Sequence, residues 1–311
     1  MRKQDATLLA CSFGGMVLGI FMPFMAEPLR WVPRTTMLAM LFVSFLSVNG
    51  REVWLNVRHY PLAVMLLVAL KLVVMPMACW CVFRLVLPEY ALGAALLGGA
   101  STAVAAPMFT FMLRADHILV LVGLVSTSLL LPFVLPAVLA FLGSLAQAEG
   151  GMQVDLPVLP MVISLAVMMV LPFLASQFVR GKAPSVMDRV MLWRQPLFVV
   201  LSSAANLAIF AQYSQVILDS PQYVLTALSG AVLAAAVLFV LAALATFRFS
   251  PARQLAFVVS CVAVNSVAVL VISVDFFGAP EALLTAMYSL PFFGALPFYR
   301  LLGKFRGHTP D

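Results

Sequence analysis

ALGAALLGGASTAVAAPMFTFML, residues 91–113, decides how this chain is read. The stretch is long and apolar enough to cross a hydrocarbon core about 30 Å thick. Its middle, Gly98 to Pro107, is nevertheless built almost wholly of Gly, Ala, Ser, Thr and Pro. A lipid-facing helix would carry Leu, Ile and Phe there. Pro107 has no N–H for the carbonyl four residues earlier, and its ring collides with that carbonyl. Small side chains let neighbouring backbones come close. Irregular backbone at membrane depth is tolerated where it is buried in protein or lines a cavity. The stretch therefore reads as a broken helix that helps to form a polar site at the bilayer midplane, as secondary transporters do.

Composition agrees with a membrane setting. Of 311 residues, 64% are hydrophobic and 10% charged, with a mean hydropathy of +1.09. Soluble proteins carry about 25% charged residues. The chain reads as one integral membrane domain, 1–311, all-α and polytopic. Its net charge of +6 sits in short loops, so it reports topology and not nucleic-acid binding. Cys11, Cys79, Cys81 and Cys261 all lie in apolar segments and read as small buried hydrophobes. Cys79 and Cys81, two apart, face different ways on a helix. Arg2 and Lys3 before an apolar run mimic a signal peptide. The run Leu8 to Ala26 exceeds the usual h-region and is taken as the first span.

Working outward from residues 91–113, ten apolar spans are expected, at 7–26, 35–50, 62–86, 91–113, 118–146, 156–178, 192–213, 222–246, 254–274 and 280–302. With ten spans, fourteen of the eighteen Lys and Arg fall on the side of the termini. Three (Arg30, Arg34 and Arg84) fall on the other side, and Lys71 lies within a span. Positive residues stay inside, so both termini are expected in the cytoplasm. The loop Gln147–Asp155, with Glu149, Gly150 and Gly151, divides the spans into two fives. Two five-span units in tandem have opposite orientations, which is the inverted-repeat layout. The repeats are about 7–146 and 156–302. The mate of the opening stretch is then Gln254 to Val274, with Ser260, Asn265 and Ser266 near its centre.

All twelve acidic residues and His59, His117 and His308 lie in loops or at span ends. A carboxylate cation site or a proton relay needs an intramembrane acid, and a membrane protease needs its acids or metal ligands. No catalytic residue, metal site or cofactor is expected. Lys71 is the exception within the spans. It sits nine residues after Leu62, about 14 Å along its helix, and no intramembrane carboxylate pairs with it. Two readings stand: a structural cation capped by backbone carbonyls at a helix break, or a charge serving a transport site. They coincide if the break is the site. Ser101 and Thr102 in one break, and Ser260, Asn265 and Ser266 in the other, read either as site residues or as interhelical bonds. Ser202, Ser203 and Asn206 read as packing residues, and Ser126 and Thr127 suit either role.

Three local patterns resemble the bile acid:sodium symporter-like family. Lys71-Leu-Val-Val-Met75-Pro76 is similar to its Gln-x-x-x-Met-Pro in the third helix. Gly98 to Arg114 resembles its small-residue fourth helix, which ends in Arg. Val262-Ala-Val-Asn265-Ser266 resembles its ninth-helix Gln-Asn-Ser crossover. The resemblance implies broken fourth and ninth helices, a core of spans 3–5 and 8–10, and a panel of spans 1, 2, 6 and 7. It also implies a small organic anion bound near the two breaks, where helix N-termini attract negative charge. Lys71, Ser101, Thr102, Pro107, Ser260, Asn265 and Ser266 are the candidate substrate-binding residues.

The departures from that pattern concern sodium. Ser260 stands where the family has a sodium-ligating acid, and Val264 where it has Gln. Ala106-Pro107 falls on its Ser-Asn pair, and Lys71 on its sodium-site Gln. Both sodium sites look dismantled, with the Lys71 ammonium in place of a bound cation. The expectation is a sodium-independent transporter in a bacterial-type inner membrane, either facilitative or proton-linked through Lys71. The alternatives are another ten-helix inverted-repeat carrier, of auxin-efflux-carrier-like or drug/metabolite type, and a non-transporting receptor or assembly factor with a transporter fold.

Overall fold

The computed structural model describes residues 3–46, 55, 58, 61–148 and 157–307. Arg2, Arg51, Glu52, His59, His308, Asp311 and the midpoint residues Glu149, Gly150, Gly151 and Asp155 lie outside them. The described residues are overwhelmingly helical, with no strand among them. In chain order the first helices are α1 (Lys3–Phe21), α2 (Val32–Leu46) and α3 (Pro61–Ala69). A π turn, Leu70–Val74, joins α3 to α4 (Met75–Val86). Next come α5 (Ala91–Gly99), α6 (Ala106–Met112), α7 (His117–Ala148), α8 (Val158–Lys182), α9 (Pro184–Leu192) and α10 (Arg194–Gln212). The chain continues through α11 (Ser214–Asp219), α12 (Pro221–Ala245), α13 (Pro251–Val262) and α14 (Ser266–Phe276). It closes with α15 (Ala279–Met287), α16 (Ser289–Gly294) and α17 (Leu296–Phe305).

Among the described residues, five helices are long and apolar enough to cross a membrane. They are Pro61–Val86, α7, α8, α10 and α12, and the bent run Ala279–Gly294 with Leu296–Phe305 makes a sixth. The other four expected spans are shorter or interrupted. Ala10–Phe21 and Val32–Leu46 are short apolar helices. The stretches 91–113 and 254–274 are each split in two.

The chain forms two compact units. The first takes Met1–Asn49 and Met168–Ala227. Within it α1 lies on α10, and two glycines set the approach. A Cβ on Gly15 would stand 2.6 Å from the Ser203 carbonyl oxygen, and one on Gly19 would stand 2.5 Å from that of Leu207. This is small-xxx-small packing of the kind membranes favour. Ser202 Oγ donates back to the Val199 carbonyl within α10. Arg180 donates to the Leu46 carbonyl at the end of α2, at 3.0 Å, and so satisfies a terminal acceptor.

The second unit takes Gly50–Val167 and Leu228–Asp311. Its third span is uneven because Pro76, in the first turn of α4, offers no N–H. The preceding turn widens, and Met75 N–H reaches back five residues to the Leu70 carbonyl. Beside it α5 packs on α4. A Cβ on Gly98 would lie 2.8 Å from the Met75 carbonyl oxygen, so only glycine permits that approach.

Two expectations need correction. Pro107 does not interrupt a helix. It occupies the first turn of α6, where the missing N–H has no intrahelical partner to lose, and the break lies upstream. Cys79 and Cys261 are buried, but Cys11 and Cys81 are exposed, since each falls on the outward face of its helix.

Candidate functional site

The site is the meeting of two helix breaks in the second unit. After Gly99 the chain turns extended at Ala100, with φ −61° and ψ 150°, and becomes helical again at Ala106. After Val262 it runs through Ala263, Val264 and Asn265 before α14 starts. The two extended segments pair antiparallel at Thr102 and Val264. Ala103 N–H donates to the Ala263 carbonyl at 2.7 Å, and Asn265 N–H donates to the Ser101 carbonyl at 2.9 Å. Unpaired backbone in a bilayer costs several kcal/mol per group. Each break supplies what the other lacks.

The final carbonyls of a helix have no intrahelical donor. At the end of α13 four consecutive ones are met from other elements. The Ser260 carbonyl accepts from Thr102 Oγ1 at 3.2 Å, and the Cys261 carbonyl from Lys71 Nζ at 2.7 Å. The Val262 carbonyl accepts from the Tyr288 hydroxyl at 2.7 Å, and the Ala263 carbonyl from Ala103 N–H. Lys71 lies in the π turn and is fully buried. Its ammonium therefore sits on the negative end of the α13 dipole, where a cation is favoured. The fourth-span break is braced in turn. Thr102 N–H donates to Thr127 Oγ1 at 3.2 Å, and that hydroxyl donates to the Gly123 carbonyl at 2.7 Å.

Three buried polar groups at the crossover have no hydrogen-bond partner among the described residues: Ser101 Oγ, Ser260 Oγ and Asn265 Nδ2. Asn265 caps α14, its Oδ1 accepting from Ala268 N–H at 3.3 Å. That leaves the amide N–H₂ uncommitted at the positive end of an eleven-residue helix. Beside the crossover lies a cavity of about 330 Å³ whose walls include Val232, Ala236, Phe239, Val262, Gly294 and Phe298. The 46° bend between α16 and α17 and the small side chains along α12 leave this space. Its walls are apolar: they include Val262, the last residue of α13, and the outward-exposed Val232, Val240 and Phe298, and none of the candidate site residues lines it.

Lys71, Ser101, Thr102, Ser260 and Asn265 thus come together, in contact through the bonds above or within the paired segments. Ser266 is half-buried at the first position of α14, and Pro107 is half-buried on α6 beyond the paired segment. Tyr288 was not read from the sequence. It is one of two tyrosines, with Tyr299, in an otherwise apolar span, and nothing in that span singled it out.

Broken helices crossing in a buried polar centre, within a chain of membrane-length apolar helices, define a membrane transporter fold. The family model for the Sodium Bile acid symporter family matches residues 35–220. The chain belongs to that family, whose members are transporters and not enzymes. The match includes Lys71 and the fourth-span break, while the ninth-span break lies beyond it. No curated protein matches the chain.

Proposed function

We propose that this protein is a secondary transporter that moves a small organic anion by alternating access, without sodium. In this reading Lys71 permanently occupies the place of a coupling cation. The observation that carries the proposal is the Lys71 ammonium on the Cys261 carbonyl at 2.7 Å, buried at the end of α13. A sodium ion needs oxygen ligands, and here the neighbouring carbonyls already accept protein donors. Ser260, which offers a hydroxyl and no carboxylate, adds no negative charge to hold one. Transport is then facilitative, or proton-linked through Lys71.

The substrate reading rests on the uncommitted groups. Asn265 Nδ2 and the start of α14 suit a carboxylate or similar anion. Ser101, Ser260 and Ser266 suit its remaining polar atoms, Thr102 shapes the break, and Pro107 opens the helix that follows it. The cavity beside Val262 suits an apolar body on the same molecule.

The larger architecture belongs to the same proposal: ten spans in two inverted repeats, 7–146 and 156–302, with both termini in the cytoplasm of a bacterial-type inner membrane. A panel of spans 1, 2, 6 and 7 and a core of spans 3–5 and 8–10 draw support from the two compact units, which follow this grouping except that their boundary at Val167 and Met168 falls within the sixth span. The ten-span count is supported by paired half-helices in both interrupted stretches.

Uptake of a panel of labelled organic anions into proteoliposomes, with and without a sodium gradient, tests the proposal. Uptake of at least one anion that is indifferent to sodium is expected and should be lost in Lys71→Ala. Strong sodium dependence, or full transport by Lys71→Ala, contradicts it.

A further inference from the structure

The basic segment that links α8 to α10 in the first unit has no part in the crossover. We propose that it is an in-plane anchor that binds anionic phospholipid headgroups. Two apolar helices of membrane length, α8 and α10, end at its two sides, at Lys182 and Arg194. Between them α9 has nine residues, about 14 Å of helix, too short to cross. It therefore lies at the membrane face where both neighbours emerge.

Its side chains are sorted for that position. Met187, Val190 and Met191 are half-buried on one face, with Val186 half exposed at its edge, and α9 packs on α2 and α10. Outward lie Leu192, 82% exposed, and Trp193, 62% exposed. An exposed tryptophan beside a span end belongs at the headgroup level. Lys182, Arg189 and Arg194 are exposed, and none of them forms an ion pair among the described residues. Asp188 is the single acidic residue between 180 and 194. Arg194 is also the first residue of α10, at the positive end of that helix. A cation there is unfavourable unless an anion lies against it. A phosphate-bearing headgroup answers all three cations, while Leu192 and Trp193 enter the acyl boundary beside it. Arg180 is excluded from this set because it is committed to the Leu46 carbonyl.

The test uses the full-length protein in nanodiscs of phosphatidylcholine with and without phosphatidylglycerol, with retained lipid read by native mass spectrometry. Preferential retention of phosphatidylglycerol is expected, falling about fivefold for each cation removed among Lys182→Gln, Arg189→Gln and Arg194→Gln. High salt should release it from the wild-type protein, a measurement that requires no variant. Lipid brominated near the headgroup should quench wild-type fluorescence by a component that is absent in Trp193→Phe. Equal retention of both lipids, insensitivity to salt, or unchanged preference in the triple variant overturns the proposal. So does stabilisation by free glycerol phosphate equal to that by phosphatidylglycerol, which would make the surface a soluble-phosphate site.

Discussion

The two helix breaks do opposite jobs. The fourth-span break runs for six residues, Ala100 to Ala105, and contributes mostly donors, the Thr102 hydroxyl and the Ala103 N–H, with the Ser101 carbonyl as its one acceptor toward the other break. The ninth-span break runs for three, Ala263 to Asn265, and ends a helix whose last carbonyls accept from every side. The first is small-residue backbone held open by its neighbours. The second is a concentration of negative helix end that needs positive partners. A free cation could supply one, but in this chain the partners are built in, and Lys71 is the charged one. The asymmetry teaches that the negative end of α13 is met by donors from within the protein itself.

Substitutions can break that comparison in graded steps. Lys71→Ala should have the largest effect, because it removes both a charged donor and a buried side-chain volume. A loss of about 4 kcal/mol is expected in unfolding of the detergent-solubilised protein. Lys71→Gln should recover part of it, since an amide N–H can still reach the Cys261 carbonyl. Gly98→Val comes next, as its Cβ would meet the Met75 carbonyl at 2.8 Å, backbone that cannot step aside. About 3 kcal/mol is expected by the same measurement. Tyr288→Phe takes one donor from the Val262 carbonyl and keeps the ring, and should cost about 1.5 kcal/mol. Ser101→Ala sharpens the comparison from the other side. Its hydroxyl bonds nothing among the described residues, so stability should change by less than about 0.5 kcal/mol. Uptake of the transported anion should nevertheless weaken, seen as a raised KM. If Ser101→Ala leaves KM unchanged, the uncommitted hydroxyl is not a substrate ligand.

Much of this crossover could be read in the chain itself. A run of Gly, Ala, Ser and Thr inside an apolar stretch cannot be a lipid-facing helix, and Asn265-Ser266 within a second such stretch named its mate. Lys71 stood out because a charge at mid-span requires a reason. Its partner was not legible, since the Cys261 carbonyl lies 190 residues away in sequence and a backbone acceptor leaves no mark on residue type. Tyr288 escaped for a related reason: it shares its apolar span with Tyr299, and residue type does not say which of the two hydroxyls is bonded. Pro107 misled in the opposite direction. Proline is equally at home inside a break and in the first turn after one, and sequence spacing does not separate the two. The exposure of Cys11 and Cys81 was likewise hidden, because an apolar span does not declare which face points outward when both faces are apolar.

The central claim, that the Lys71 ammonium holds the place of a coupling cation, can be tested without knowing the solute. Thermal unfolding of the purified protein would be compared in sodium chloride and in N-methylglucamine chloride at equal ionic strength. The same comparison would be made for the double variant Lys71→Gln, Ser260→Glu. A ligand that binds the folded state raises its unfolding temperature. The wild-type protein is predicted to unfold at the same temperature in both salts, with sodium-specific stabilisation appearing in the double variant. Sodium-specific stabilisation of the wild-type protein would contradict the account.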